Sequence, residues 1–174
     1  MNLMPSPPRS SLAQPPPKPE TTEPVYKPRR LELHERLWAW SRALHQRGWR
    51  RSARVCKGLN FLLHHALLPP EAVVGEDVRL DHYALGVVMH PNVVIGNRVR
   101  IFHGVTFAAT APIGSGINIC IGDDVMIGAG AIIIARANQG LTIGAGAAIG
   151  AGSVVTHDVE PGATYVGEAA SKLE

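Results

Sequence analysis

The chain has 174 residues, a formal net charge of +3, an aromatic fraction of only 5% and 18 glycines. This length allows one main domain with accessory segments, and no apolar run approaches the roughly 20 residues of a membrane span. The N-terminus has prolines where a signal peptide has its apolar core, so we expect a cytoplasmic protein without one. Cys56 and Cys120 match no metal or redox spacing and are expected to be free thiols.

Residues 1–28 contain nine of the 14 prolines and few apolar residues. Such a segment cannot bury enough apolar surface to offset the entropy of folding, so it is expected to be a disordered, proline-rich tail. A role as a proline-rich ligand for another protein is the alternative.

Residues 29–69 are typical of a short helical arm. Apolar residues recur three or four positions apart on both sides of Gly48, and Pro69–Pro70 end the segment. Residues 27–57 hold ten Lys and Arg against two Glu, which predicts a basic, solvated face supporting the rest of the fold. The alternative is peripheral contact with the anionic inner face of a membrane. Nucleic acid is not an expected partner, because no recognition motif accompanies the charge.

Residues 70–174 are dominated by a period of six. An aliphatic residue followed by small residues, as in Ile127–Gly128–Ala129–Gly130, recurs through the segment. The leading positions, aliphatic except for Phe107, are 74, 80, 95, 101, 107, 121, 127, 133, 143, 149 and 155. A hexapeptide period predicts a mainly β fold, the parallel β-helix, in which each unit forms one flat side of a coil.

Three interruptions of this period are expected to carry function. The aliphatic positions jump by fifteen residues across 80–95, by fourteen across 107–121 and by ten across 133–143. A departure from a multiple of six predicts a loop that leaves the coil, and functional residues on repeat folds tend to lie in such loops. The first interruption contains Asp81, His82 and His90, and the second spans residues 108–118.

The segments 80–82, 86–88, 105–110, 126–131 and 149–155 resemble, in this order, the serine O-acetyltransferase family of hexapeptide-repeat acyltransferases. The Leu80–Asp81–His82 step carries more of this resemblance than the repeat, which many unrelated proteins share. The resemblance implies a left-handed parallel β-helix that assembles as a homotrimer. It also implies acetyl-CoA as co-substrate, bound along the groove between subunits, and transfer of its acetyl group to an acceptor hydroxyl.

The resemblance also assigns roles to individual residues. His82 matches the general base, and a neutral imidazole suits the removal of a hydroxyl proton near pH 7. Asp81, His103 and Asn118 are candidate substrate-binding residues, although His103, like His90, also fits polar surface on a coil face. Small residues are expected to line the acetyl-CoA channel, where the pantetheine arm approaches the main chain closely: Ala109, Thr110, Gly128, Ala129 and Ala151.

Several positions depart from the family pattern. Leu67 stands where the family has the aspartate that partners its base, and Ile117–Asn118 replaces the Arg-His pair that grips serine. Ala108–Ala109 replaces a Gly-Gly pair, and the turn after His82 is one residue longer. The family's tail that docks into cysteine synthase is not present in a sequence that stops at Glu174, so this partner is not expected. The changes favour a sugar or polysaccharide-precursor hydroxyl as acceptor.

Two other functions remain alternatives. The first is serine O-acetyltransferase activity in cysteine biosynthesis. The second is a catalytically silent trimeric β-helix scaffold, motivated by Leu67, because an imidazole without its orienting partner is a poorer base. No metal is expected, since the histidines at 82, 90, 103 and 157 lack the close pair that zinc sites of β-helical carbonic anhydrases use.

Overall fold

The computed structural model describes residues 29–167, so the predicted tail at 1–28 lies outside the described residues. Two helices come first, α1 (Leu33–Gln46) and α2 (Arg50–His64), which confirms the helices expected near the N-terminus. Thirteen short strands follow within this range. They are β1 (Val73–Val74), β2 (Arg79–Leu80), β3 (Val88–Met89), β4 (Val93–Ile95), β5 (Arg100–Ile101), β6 (Thr106–Ala109), β7 (Ile119–Ile121), β8 (Met126–Ile127), β9 (Ile132–Ala135), β10 (Leu141–Ile143), β11 (Ala148–Ile149), β12 (Val154–Val155) and β13 (Thr164–Tyr165).

The strands form the three sides of a coil. Sheet 1 has the order β1-β4-β7-β10, sheet 2 the order β13-β11-β8-β5-β2, and sheet 3 the order β12-β9-β6-β3. Every strand pair is parallel, because each strand lies directly beneath the equivalent strand of the next coil. The fold is the predicted left-handed parallel β-helix, with about four turns.

The leading aliphatic residue of each hexapeptide fills the interior. Of the eleven predicted positions, all except the partly buried Val74 are buried. Leu80, Ile101 and Ile127 stack in register along sheet 2, and Phe107 fills the adjoining interior at 1% exposure. Burial of one such side chain stabilises the fold by roughly 1.5–3 kcal/mol. The period of six therefore reflects one inward-facing side chain on each side of each coil.

Glycines stack at the corner between sheets 1 and 2. Gly75, Gly96, Gly122 and Gly144 occupy this corner in successive coils. A Cβ built on Gly122 would lie 2.6 Å from the backbone nitrogen of Ala145 in the next coil. The repeat therefore needs glycine here because neighbouring coils meet at backbone contact.

The interruptions of the repeat leave the coil at two corners. Val88 pairs with Thr106, eighteen residues later, which is one regular coil of three hexapeptides. The first interruption forms a tight turn at 82–84 between sheets 2 and 3. Ala108 and Ala109 still belong to β6, so the second excursion begins at Thr110 and covers 110–118 instead of the expected 108–118. It and the third (136–140) both leave between sheets 3 and 1.

The helical arm caps the open end of the β-helix. The strands β1 and β2 lie at sheet edges, where free backbone groups would otherwise remain unpaired. The Trp38 indole N–H donates to the Pro69 carbonyl (2.9 Å), and the Arg42 guanidinium donates to the carbonyls of Ala72 (3.2 Å) and Val74 (3.0 Å). Helix α1 therefore covers the open edge of the first coil and pairs with backbone carbonyls there.

Helix α2 packs on α1 and leaves an apolar stripe exposed. The Ser41 hydroxyl donates to the Ala53 carbonyl (2.8 Å), which joins the two helices. On the opposite side of α2, Val55, Leu62 and Leu63 are more than half exposed. Among residues 29–167, no helix has the length and apolarity needed to cross a membrane.

Candidate active site

His82 lies on a strained turn at the corner between sheets 2 and 3. His82, Tyr83 and Ala84 have φ angles of 56°, 60° and 57°, which is left-handed backbone at three consecutive non-glycine residues. Each such residue costs about 1–2 kcal/mol. Strain of this kind is retained where the surroundings impose it, and it clusters at functional sites. The turn projects the His82 side chain into solvent at the coil surface.

Helix α1 clamps the strand that leads into this turn. The Leu80 backbone N–H donates to a Glu35 carboxylate oxygen (3.1 Å), and His34 Nε2–H donates to the Leu80 carbonyl (3.0 Å). His34 is fully buried and Glu35 is 5% exposed. The backbone N–H and carbonyl of Leu80, two residues before His82, are thus both held by buried side chains of the helical arm.

The Glu35 carboxylate is held ionised. Burial by itself would raise its pKa, but hydrogen bonds from Arg29 and from the backbone N–H groups of Glu32 and Leu80 outweigh burial and lower the pKa below its ordinary value of 4.5. The Arg29 Nη1 donor lies 2.8 Å from the carboxylate. The clamp on Leu80 is therefore an ionic hydrogen-bond network, which is stronger than a neutral one.

The arm also contacts the turn itself. The Tyr83 ring stacks on the His64 ring with centroids 6.4 Å apart, and it meets the His34 ring edge-on at 6.1 Å. The pKa of His64 is lowered by burial and then by the neighbouring His34. The strained turn is thus held from both helices.

His82 contacts a second histidine from the next coil. Leu80 pairs with Ile101, and this register places His103 beside His82. The two Nδ1 atoms lie 2.7 Å apart, with ring centroids 4.8 Å apart and a tilt of 45°. The Phe102 ring packs edge-on against the His82 ring at 5.8 Å. The structure therefore brings together His82 and His103, two of the residues singled out in the sequence.

Asp81 is paired with a residue that the sequence had not singled out. Arg100 Nε and Nη2 donate to Asp81 Oδ2 at 3.0 and 2.8 Å, and the Arg100 guanidinium lies 5.1 Å above the Phe102 ring. Arg100 could have been found from the register of the coils. Arg79 pairs with Arg100, and this pairing places Arg100 under the start of the turn. One carboxylate and one guanidinium thus lie next to the candidate base.

A track of small residues continues from His103 along the same corner. The Gly130 N–H donates to the His103 carbonyl (2.9 Å), and the Gly152 N–H donates to the Ala129 carbonyl (2.8 Å), so the third and fourth coils continue this column. The candidate channel residues Gly128, Ala129 and Ala151 lie here. Below His103, the corner positions 128–131 and 150–153 are all Gly, Ala or Ser, so within residues 29–167 this column itself carries no long side chain.

The other candidate residues lie at a different corner. Ala109 ends β6, Thr110 begins the second excursion, and Asn118 directly precedes β7, so all three lie between sheets 3 and 1. Within one chain the structure does not bring them to His82.

The second excursion is anchored by Asn92, which the sequence reasoning missed. Its buried side-chain amide donates to the carbonyls of Pro112 (2.9 Å) and Ile117 (3.1 Å), and its oxygen accepts the Gly114 N–H (2.9 Å). His90 Nδ1 accepts the Asn92 N–H at 3.1 Å, which gives His90 a structural contact. Within residues 29–167 there is no group of three or more His, Cys, Asp or Glu side chains that could hold a metal ion.

No family model matches the chain, but its curated relatives are serine acetyltransferases. It is 37% identical over 130 residues to the Mycobacterium tuberculosis serine acetyltransferase, covering 75% of this chain and 52% of that protein. With the Helicobacter pylori serine acetyltransferase the identity is 32% over 131 residues, covering 75% and 74%.

Two solved structures are similar as well. The soybean serine acetyltransferase complexed with serine has a TM-score of 0.69 at 36% identity, covering 78% of this chain and 54% of that one. The Brucella abortus serine acetyltransferase in complex with coenzyme A has a TM-score of 0.69 at 28% identity, covering 78% and 52%.

The fold, a left-handed β-helix of hexapeptide repeats, is that of the hexapeptide-repeat acyltransferase class. More narrowly, the chain belongs to the serine acetyltransferase family. It spans only about half the length of several of these relatives. The comparisons favour the serine acetyltransferase alternative over the sugar or polysaccharide-precursor acceptor that the sequence had suggested, and they do not support a role in polysaccharide biosynthesis.

Proposed function

We propose that the protein is an acetyl-CoA-dependent O-acetyltransferase with L-serine as acceptor and His82 as general base. The observation that carries this proposal is the position of His82. It stands exposed on a strained turn, beside the pair of Asp81 and Arg100 and at the head of the small-residue column. The family of the chain supports the same chemistry.

Acetyl-CoA would supply a thioester whose acetyl carbon is the electrophile. His82 Nε2 accepts the proton of the acceptor hydroxyl as the new C–O bond forms. When the C–S bond breaks, His82 returns this proton to the departing sulfur, so atoms and charge balance over the cycle. Backbone N–H donors near this corner would be the groups to stabilise the oxyanion between these steps.

The small-residue column fits the acetyl-CoA arm. Ala129 is half-buried and Ala151 is exposed, so an extended pantetheine can approach the main chain there without meeting a long side chain. We assign Gly128, Ala129 and Ala151 to this side of the channel. Ala109 and Thr110 lie at the far end of sheet 3 and would join the channel only from a neighbouring subunit.

This separation supports the proposed homotrimer. The outward-facing column of sheet 3 is Thr106 together with three apolar residues, Val88, Ile132 and Val154, which are 38%, 37% and 60% exposed. Burying such a column against a neighbour is favourable, and it would place Thr110 and Asn118 of one subunit near the corner of another. In this proposal each active site is shared by two subunits.

Charge next to His82 favours an amino-acid acceptor. Asp81 and Arg100 present one negative and one positive group, and free serine presents an ammonium and a carboxylate that complement them. Ile117–Asn118 lacks a positive charge for the carboxylate, so Arg100 is the group that would supply it. A sugar acceptor offers no charged group to either residue, so Asp81 and Arg100 would stay paired with each other.

The test is a CoA-release assay of the purified chain with acetyl-CoA and, in turn, L-serine, UDP-sugars and oligosaccharides. We expect the highest kcat/KM with serine, and a drop of roughly 10²–10⁴-fold in turnover for His82→Ala at unchanged oligomeric state. A faster reaction with a sugar would show that the acceptor is a sugar and not serine, while the proposed acetyl transfer would still hold. If calorimetry shows that acetyl-CoA does not bind, the scaffold alternative holds instead.

Peripheral membrane contact through residues 27–57 remains a separate prediction, which the relatives do not support. What supports it is the exposed apolar stripe of α2 together with Arg50, Arg51 and Arg54 on the same helix.

A further inference from the structure

The hydrogen-bonding partner of His82 in this chain is a histidine. The two Nδ1 atoms are 2.7 Å apart, a distance at which one hydrogen lies between them, since two bare lone pairs would repel. The nearest carboxylate in sequence, Asp81, is already engaged by Arg100. Leu67, at the position where the family has the partner aspartate, has no polar side chain.

This contact couples the tautomers of the two rings. In a neutral pair, either His82 Nδ1–H donates to His103 or His103 Nδ1–H donates to His82. Only the first arrangement leaves His82 Nε2 with a free lone pair, as a base requires. In that arrangement His103 carries its own hydrogen on Nε2 and acts as the acceptor.

We propose that His103 is a positioning residue that holds His82 in the base-competent tautomer, in place of a carboxylate. The inference rests on the proposed function. When His82 Nε2 takes up the hydroxyl proton, its Nδ1–H keeps donating to His103, and the bond becomes charge-assisted. In this proposal His103 only accepts a hydrogen bond and takes no proton from the acceptor.

Neighbouring contacts support the position of the His82 ring beside His103. Phe102 packs edge-on against the His82 ring, and the Asp81–Arg100 pair joins the same two coils at the base of the turn. Leu80 pairs in register with Ile101, and Glu35 holds the Leu80 N–H. This register places His82 beside His103. The role differs from the substrate-binding role expected for His103, in which the ring would contact the acceptor.

The test compares His103→Asn with His103→Leu in the full chain. Asparagine can place its amide oxygen near the position of histidine Nδ1 and accept from His82, whereas leucine has similar bulk and no acceptor. We expect His103→Leu to lower kcat by about 10- to 100-fold with little change in the KM for the acceptor, and His103→Asn to restore most of the loss. A raised KM at unchanged kcat, or equal losses in both variants, overturns the proposal.

A second measurement is independent of activity. Ring ¹⁵N NMR of histidine-labelled protein at pH 8 reports which nitrogen of His82 carries the hydrogen, and His82→Gln identifies its signals. We expect the hydrogen on Nδ1 in the unmodified chain and in His103→Asn, and on Nε2 in His103→Leu. Hydrogen on Nε2 in the unmodified chain refutes the inference even if transfer occurs. If no acceptor is acetylated but the hydrogen lies on Nδ1, the proposed function fails while the pairing stands.

Discussion

The stack of corner glycines gives a sharp test of how the coils are held together. In Gly122→Ala, the new Cβ would lie 2.6 Å from the Ala145 nitrogen and 2.8 Å from its Cα, where ordinary contacts begin at 3.4 Å. The coils must therefore separate locally by roughly 0.8 Å, because both contacts are backbone atoms that cannot rotate away. The hydrogen bond from the Gly122 N–H to the Ile143 carbonyl, now 2.8 Å, would lengthen beyond bonding distance.

Overpacking of this kind costs about 1–3 kcal/mol, and a lost hydrogen bond adds about 1 kcal/mol. We therefore expect the free energy of unfolding to fall by about 2–4 kcal/mol, which lowers Tm by roughly 5–15 °C for a chain of this size. Circular dichroism melts at equal protein concentration measure the change, since association also shifts Tm.

The matched control is Gly58→Ala in α2. A Cβ on Gly58 meets no atom within 4 Å, so the same substitution should stabilise the protein by about 0.5–1 kcal/mol through helix propensity alone. A Gly122→Ala variant that melts within 1 °C of the unmodified protein would refute the argument. So would equal destabilisation by both substitutions.

Two further predictions concern the clamp and the core. In Glu35→Gln, the Leu80 N–H keeps an acceptor but the ionic network is lost, so the free energy of unfolding at pH 7 should fall by about 1–3 kcal/mol in urea titrations. Because the folded pKa of Glu35 lies below 4.5, its stabilisation is complete above that value and is lost as the pH falls through the folded pKa. The stability of the unmodified protein should therefore drop more steeply below pH 4.5 than that of the variant, and parallel pH curves would contradict the assignment. In Phe107→Ala, a side chain that is 1% exposed is removed from the coil interior, and a loss of about 3–5 kcal/mol is expected; a loss below 1 kcal/mol would show that the coil collapses around the gap.

Much of the fold was predictable because the repeat is local. One inward side chain per six residues and a small residue at each corner are sufficient to predict the coil, and the buried positions agree with the aliphatic ones at Leu80, Ile101 and Ile127. The two helices were predictable for the same reason, since their apolar spacing is readable within one segment. The capping of the first coil by Trp38 and Arg42 was not, because those contacts join residues about thirty positions apart.

The candidate site was only partly predictable. The Leu80–Asp81–His82 step predicts His82 as the general base through its resemblance to the family, and the family is shown by comparison with known relatives. The partner of His82, the pairing of Asp81 with Arg100 and the anchoring role of Asn92 depend on which residue lies beneath which in the stack. Three interruptions of unequal length shift this register, so it cannot be counted from the period.

The sequence by itself determined the coil, the positions of its interruptions and the histidine in the first of them, because each is encoded in short-range spacing. Only the tertiary structure decided that His103 contacts His82 and that buried Glu35 and His34 fix the strand before it. These contacts link positions 21 to 46 residues apart, and they form only when the coils stack and the arm closes over the open edge.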